Sequence, residues 1–145
     1  MQSLDYKKFE SAEVFYNQIG DYVYVQYLNP SKSDDFKATW NYALELKIKY
    51  RTNKWLIDKT FENVYPADMK WLYNVWVKKS NASSPLSENN PRYIAMIMPL
   101  NFYCQYSVEE FIRKNSSPTY VFHLCKDHEE AHAWFIQLNG QKYNL

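Results

Sequence analysis

The stretch KWLIDKTFENVYPADMKWLYNVWVKK, residues 54–79, decides the fold. Lys54-Trp-Leu-Ile-Asp58 is a short apolar run closed by an acid, the pattern of a buried central strand. Pro66 suits the first turn of a helix, where its missing N–H is no loss, and Asp68 follows at the positive end of the helix dipole. Met69, Leu72, Tyr73 and Trp76 then recur at helical spacing, and Lys78-Lys79 meet the negative end. A buried strand feeding an amphipathic helix is one β-α unit of a parallel sheet.

Outward from this unit the same alternation continues. Tyr93 to Met98 and Thr119 to Cys125 read as further buried strands, Val108 to Lys114 as a short helix, and Asp127 to Leu138 as a last helix with Ala131, Trp134, Phe135 and Leu138 inward. Between them, residues 80–91 (SNASSPLSENNP) read as a polar loop. On the amino-terminal side, Phe9 to Tyr16 and Tyr22 to Leu28 are rich in aromatic and β-branched residues and flank the turn signal Asn17 to Asp21, so they read as a β-hairpin. Ser33 suits a helix N-cap with Asp34 and Asp35 behind it, and Phe36, Trp40, Ala43 and Tyr50 share one helical stripe. Residues 42–50 read two ways, because Leu44, Leu46, Ile48 and Tyr50 also alternate as in a strand; the cap signals favour the helix. The order β-β-α-β-α-β-α-β-α calls for one α/β domain over residues 1–145, with a mostly parallel sheet of about five strands, an antiparallel hairpin at its edge and about four helices.

Composition bounds the function. The 145 residues hold 27 aromatic rings, 5 Trp, 14 Tyr and 8 Phe, with a formal charge of +1. With that charge and no long basic run, nucleic acid is not an expected partner. Only two glycines occur, Gly20 and Gly140, too few for a phosphate-cradling loop or a dinucleotide fingerprint. The start MQSLDYKKFES has no apolar stretch after its lysines, which predicts neither signal peptide nor membrane anchor. Cys104 and Cys125 lack paired spacing and read as reduced thiols of a cytoplasmic protein.

The element order, with WLIDKTFENVYPADMKWL at 55–72 and DHEEAHAWF at 127–135, resembles the STAS-like (SpoIIAA-like) superfamily, in particular its small stand-alone bacterial members of unknown function. That resemblance implies a SpoIIAA-like fold and a non-catalytic binding or regulatory module. In the anti-sigma-factor antagonists of the superfamily a serine at the start of the helix after the third strand takes a phosphate. The matching positions here are Ala67 and Asp68, so the phospho-switch does not carry over. Some relatives of the fold are thought to enclose apolar ligands, which implies a small apolar-ligand carrier as the alternative.

Several residues are weighed as sites. Asp58 sits where a parallel strand ends, the side on which open α/β sheets bind ligands, although an acid there also caps the loop that follows. Tyr65 and Asp68 flank the start of the Pro-led helix. Tyr22 and Tyr24 share one strand face with Gln26, opposite Val23 and Val25, and are read as needing a cover, either a second copy of the chain or a segment of the same chain. His128-Glu129-Glu130-Ala131-His132 matches H-E-x-x-H, the zinc-hydrolase pattern, but none of the thirteen residues after His132 is a ligand type, which leaves only an upstream group such as His123. Asp127 and Glu130 instead fit a capping pair, with His128 and His132 toward solvent or the helix flank. His123 and Cys125, two apart on a strand, read as packed side chains. No metal and no cofactor are expected, and the partners that fit are a protein, a second copy of the chain or an apolar small molecule.

Overall fold

The computed structural model describes residues 5–30, 32–84, 89–100 and 102–143. Its elements are β1 (Tyr6–Lys8), β2 (Ala12–Asn17), β3 (Tyr22–Tyr27), α1 (Ser33–Tyr50), β4 (Lys54–Asp58), α2 (Pro66–Trp71), a π-helical turn (Leu72–Trp76), α3 (Val77–Ser83), β5 (Arg92–Ile97), α4 (Phe102–Asn115), β6 (Tyr120–Cys125) and α5 (His128–Tyr143). The six strands lie in sequence order. β1, β2 and β3 are antiparallel, and β3 through β6 are parallel. The class is α/β with a mixed sheet. Successive right-handed crossovers add strands in one direction and keep their helices on one side, which is why sequential order goes with a one-sided helix layer.

That layer packs on one sheet face. Val23, Val25, Trp55, Ile57, Ile94 and Met96 project from the strands to meet Phe36, Trp40, Ala43, Leu72, Trp76 and Val108. On the other face α5 is the covering helix among the described residues: Ala131 and Phe135 pack on Tyr22, Tyr24, Leu56, Ala95 and Ile97. Burial on both sides is what parallel strands require, and β4 is buried at every position but its first.

Three local readings change. The hairpin edge is a three-stranded meander, because Tyr6–Lys8 pairs with Glu13–Phe15. The helix preferred for residues 42–50 holds, within the 18-residue α1. Ser33 does not cap that helix: the flanking residue is Lys32, and the Ser33 hydroxyl donates to Asp68 Oδ2 at 2.9 Å, joining the starts of α1 and α2. The polar loop begins only after Ser83, since 80–83 continue α3, and its residues 85–88 lie outside the described residues.

Candidate functional site

Two places gather polar side chains at the sheet. The first lies at the carboxyl ends of the parallel strands. Asp58, the last residue of β4, is 4% exposed. Its Oδ1 accepts the Thr60 backbone N–H at 3.0 Å and the Thr60 hydroxyl at 2.6 Å, so the acid does cap the following loop. Its Oδ2 lies 2.6 Å from His128 Nε2 in the first turn of α5, with Gln26 Nε2 at 3.4 Å. Tyr24 Oη is 3.1 Å from the same His128 nitrogen, and one helical turn on, His132 Nδ1 is 3.0 Å from Tyr22 Oη.

These contacts correct the reading of Tyr22 and Tyr24 as a face awaiting a second copy or a loop. They are 4% and 3% exposed because α5 covers them, with Phe135 stacked on Tyr22 at 4.6 Å between ring centroids. Burial pushes the Tyr22 hydroxyl up to about 12 and the Tyr24 hydroxyl above its usual range, the latter with help from the Asp58 charge. His128 and His132 likewise turn to the sheet, each against its own tyrosine, instead of converging on a common point. No group of three metal-ligand side chains forms among the described residues.

The start of α5 follows the capping reading. Asp127 Oδ1 accepts the Glu130 N–H at 2.8 Å, and Glu130 Oε2 accepts the Lys126 N–H at 3.0 Å. His123 stacks on Trp134 at 4.9 Å, and Cys125 is a free, buried thiol. Burial, with Glu130 and Asp127 nearby, pushes that thiol up to about 11 from 9.0. A thiolate is the reacting species, so this environment disfavours reaction at Cys125. Thr60, bound to Asp58, is the other hydroxyl beside the His128–Asp58 pair. The cluster joins α5 to the sheet. In a Cys104→Ser background, iodoacetamide should alkylate Cys125 of the folded protein about a hundredfold or more slower than that of the urea-unfolded chain at pH 8. Equal rates by mass spectrometry would contradict its placement.

Of the residues at the Pro-led helix, Tyr65 is 61% exposed and lies outside any cluster described, whereas Asp68 is buried and committed to Ser33.

The second place is an aromatic cavity of about 380 Å³ between the sheet and the helix layer. Trp55 and Ile57 of β4, with Arg92, Ile94 and Met96 of β5, form its floor, and Tyr120 of β6 closes one side. The roof is the π-helical turn and its flanks, Leu72, Tyr73, Trp76 and Val77, joined by Phe111 and Asn115 of α4. A π turn inserts one residue into a helix, a distortion that recurs at functional sites, and here it lies directly over the space. Trp40, Trp55 and Trp76 pack edge-on and tilted at one wall, with centroids 5.0–6.3 Å apart. Their polar atoms differ in fate. Trp40 Nε1 donates to Tyr27 Oη and Trp76 Nε1 to the Trp40 carbonyl, but Trp55 Nε1 is buried with no acceptor among the described residues.

Both cations on the cavity wall are buried. Lys59, at the carboxyl end of β4, pairs with Glu62 at 2.9 Å. Arg92, at the opposite end, is 2% exposed. Its Nη1 donates to Tyr120 Oη at 3.2 Å, and Tyr120 in turn donates to Asn81 Oδ1 at 2.9 Å. Arg92 Nε and Nη2 have no partner among the described residues. Burial draws the guanidinium below its usual range. Lys47 of α1 is buried nearby, its Nζ donating to Ser83 Oγ at 3.1 Å, and burial together with the Arg92 charge lowers its ammonium to about 8. No residue of this cavity was singled out as a site from sequence. Arg92 follows Asn89-Asn90-Pro91, where a lone arginine looks like a solvated loop charge.

No family model, no curated protein and no solved structure matches the chain. No helix among the described residues is long and apolar enough to cross a membrane.

Proposed function

We propose that this chain is a non-catalytic binding module that encloses a small apolar molecule between its sheet and its helix layer. The observation that carries this reading is the 380 Å³ cavity walled by Trp40, Trp55, Leu72, Trp76, Met96 and Phe111. Protein interiors are ordinarily packed with few voids larger than a water molecule, and small-molecule sites begin at roughly 300 Å³ with mainly apolar and aromatic walls. Two further facts support it. The aromatic face of Tyr22 and Tyr24 is sheathed by α5, and the Asp58 carboxylate is taken up by Thr60 and His128. Binding here would also be consistent with the ligand-enclosing relatives of the fold that the sequence resembles.

The test uses a neutral apolar probe, N-phenyl-1-naphthylamine, whose emission rises on leaving water. One saturable site per chain is expected. Val77→Trp, which adds an indole at the roof, should abolish it while far-UV circular dichroism stays unchanged. Absence of saturable binding, or binding indifferent to Val77→Trp in a folded protein, would overturn the reading.

A further inference from the structure

An apolar cavity explains its rings but not its arginine. A guanidinium that is 2% exposed, with no acid beside it among the described residues, is costly, because taking an ion out of water is repaid only by a counter-charge and by hydrogen bonds to its remaining protons. Arg92 has the aromatic face of Tyr120 at 5.4 Å and one hydrogen bond to that hydroxyl, and it forms no ion pair with a carboxylate among the described residues. The neighbouring buried charge, Lys47, has the same sign, so it repels.

The unpartnered polar atoms of the wall are all donors: Arg92 Nε, Arg92 Nη2 and the indole Nε1 of Trp55. The register puts the arginine donors at one end and the indole at mid-cavity. Arg92 is level with Tyr120, and Trp55 pairs with Ile94, two residues along the same face from Arg92. At the other end Lys59 already has Glu62. Among the described residues, the Arg92 end of the cavity thus has no negatively charged acceptor for its cation, whereas Lys59 at the other end has Glu62. Nε with a terminal nitrogen is the fork that matches the two oxygens of a carboxylate.

Resting on the apolar-ligand reading above, we propose that the ligand is an organic acid, its carboxylate held by Arg92 and its apolar body lying along β4 and β5 toward Met96. Four residues of strand separate Arg92 from Met96, or roughly 13 Å at about 3.3 Å per residue, the scale of a medium-length acyl chain or a fused-ring acid.

Decanoate and decan-1-ol share an apolar chain and differ in the charged head. Titrated into the wild-type protein at pH 7 and followed by tryptophan fluorescence, decanoate should bind about tenfold or more tighter than decanol. Arg92→Met keeps the side-chain volume roughly constant and removes the donors. It should remove that preference, weakening decanoate about tenfold or more while leaving decanol within about twofold. The wild-type comparison stands even where the variant fails to fold. Equal affinities for the two probes in the wild-type protein would overturn the acid and leave the apolar module intact. Failure of both probes to bind would overturn the module with it.

Discussion

Trp40→Ala is expected to lower the unfolding free energy by about 3–5 kcal/mol, the range for deleting a large buried ring. Trp40 is 2% exposed and touches four other aromatic rings of the main core: Phe36, Tyr27, Trp55 and Trp76. Its indole N–H is also the donor to Tyr27 Oη, which is fully buried. Truncation therefore opens a void next to an existing cavity and removes a partner from a hydroxyl with no access to water. Either effect alone costs about 1 kcal/mol or more. For a domain of this size the melting midpoint should fall by roughly 6–20 °C. Urea denaturation followed by far-UV circular dichroism measures the loss directly. A change below about 1 kcal/mol at unchanged m would mean that the Trp40, Trp55 and Trp76 wall does not support the layer.

Lys47→Met should act in the opposite direction. Lys47 is 2% exposed, beside a second buried cation, and its ammonium is lowered from 10.5 to about 8 by burial and by Arg92. The unfolded chain keeps that proton up to about 10.5, so between pH 8 and 10.5 the unfolded state binds more protons than the folded one, and stability rises with pH through this window. Below pH 8 both states are protonated and the full penalty is present. Methionine fills similar space without charge, and replacing buried charge by apolar groups of like volume stabilises by roughly 1–4 kcal/mol. Cys125 opposes the trend above pH 9, since its thiol is raised in the folded state, and Tyr22 does so above pH 10. The difference between wild type and Lys47→Met, measured by denaturation from pH 7 to 10, isolates the lysine. It should be largest at pH 7 and shrink as pH rises. A difference independent of pH, or a destabilised variant, would refute the buried-cation account.

The strand-helix units were legible because they repeat a local pattern. Lys54 to Asp58, the Pro66-led helix and the α5 stripe each announce themselves within a dozen residues. What stayed hidden depends on elements far apart in the chain. Tyr22 and Tyr24 look half-exposed in their own strand, since alternation says nothing of what covers a face. The clue lay over a hundred residues on, where Ala131, Trp134 and Phe135 form a stripe that must have a sheet to lie on. β1 is short and exposed at Tyr6, Lys7 and Lys8, so no alternation marks it. α4 starts six residues before Val108, and its first turns were not legible because Phe102 and Tyr106, exposed at 76% and 61%, blur its stripe. Arg92 is invisible for the same reason: its burial is made by Tyr120, Asn81 and the helix layer, none of which is near in sequence. The reading of Asp58 as a loop cap succeeded because Thr60 is only two residues away.

The one-sided helix layer also bears on the order in which the protein can be made. Each of α1, α2 and α4 follows closely on a strand of the sheet that its layer covers, so the larger core can assemble as synthesis proceeds at roughly 5–20 residues per second. α5 follows every strand. Until it emerges, Tyr22, Tyr24, Leu56, Ala95 and Ile97 form one uncovered apolar sheet face on an otherwise assembled layer. The nascent chain is thus most adhesive just before its final helix arrives, and the histidine–tyrosine contacts at His128 and His132 close that interval.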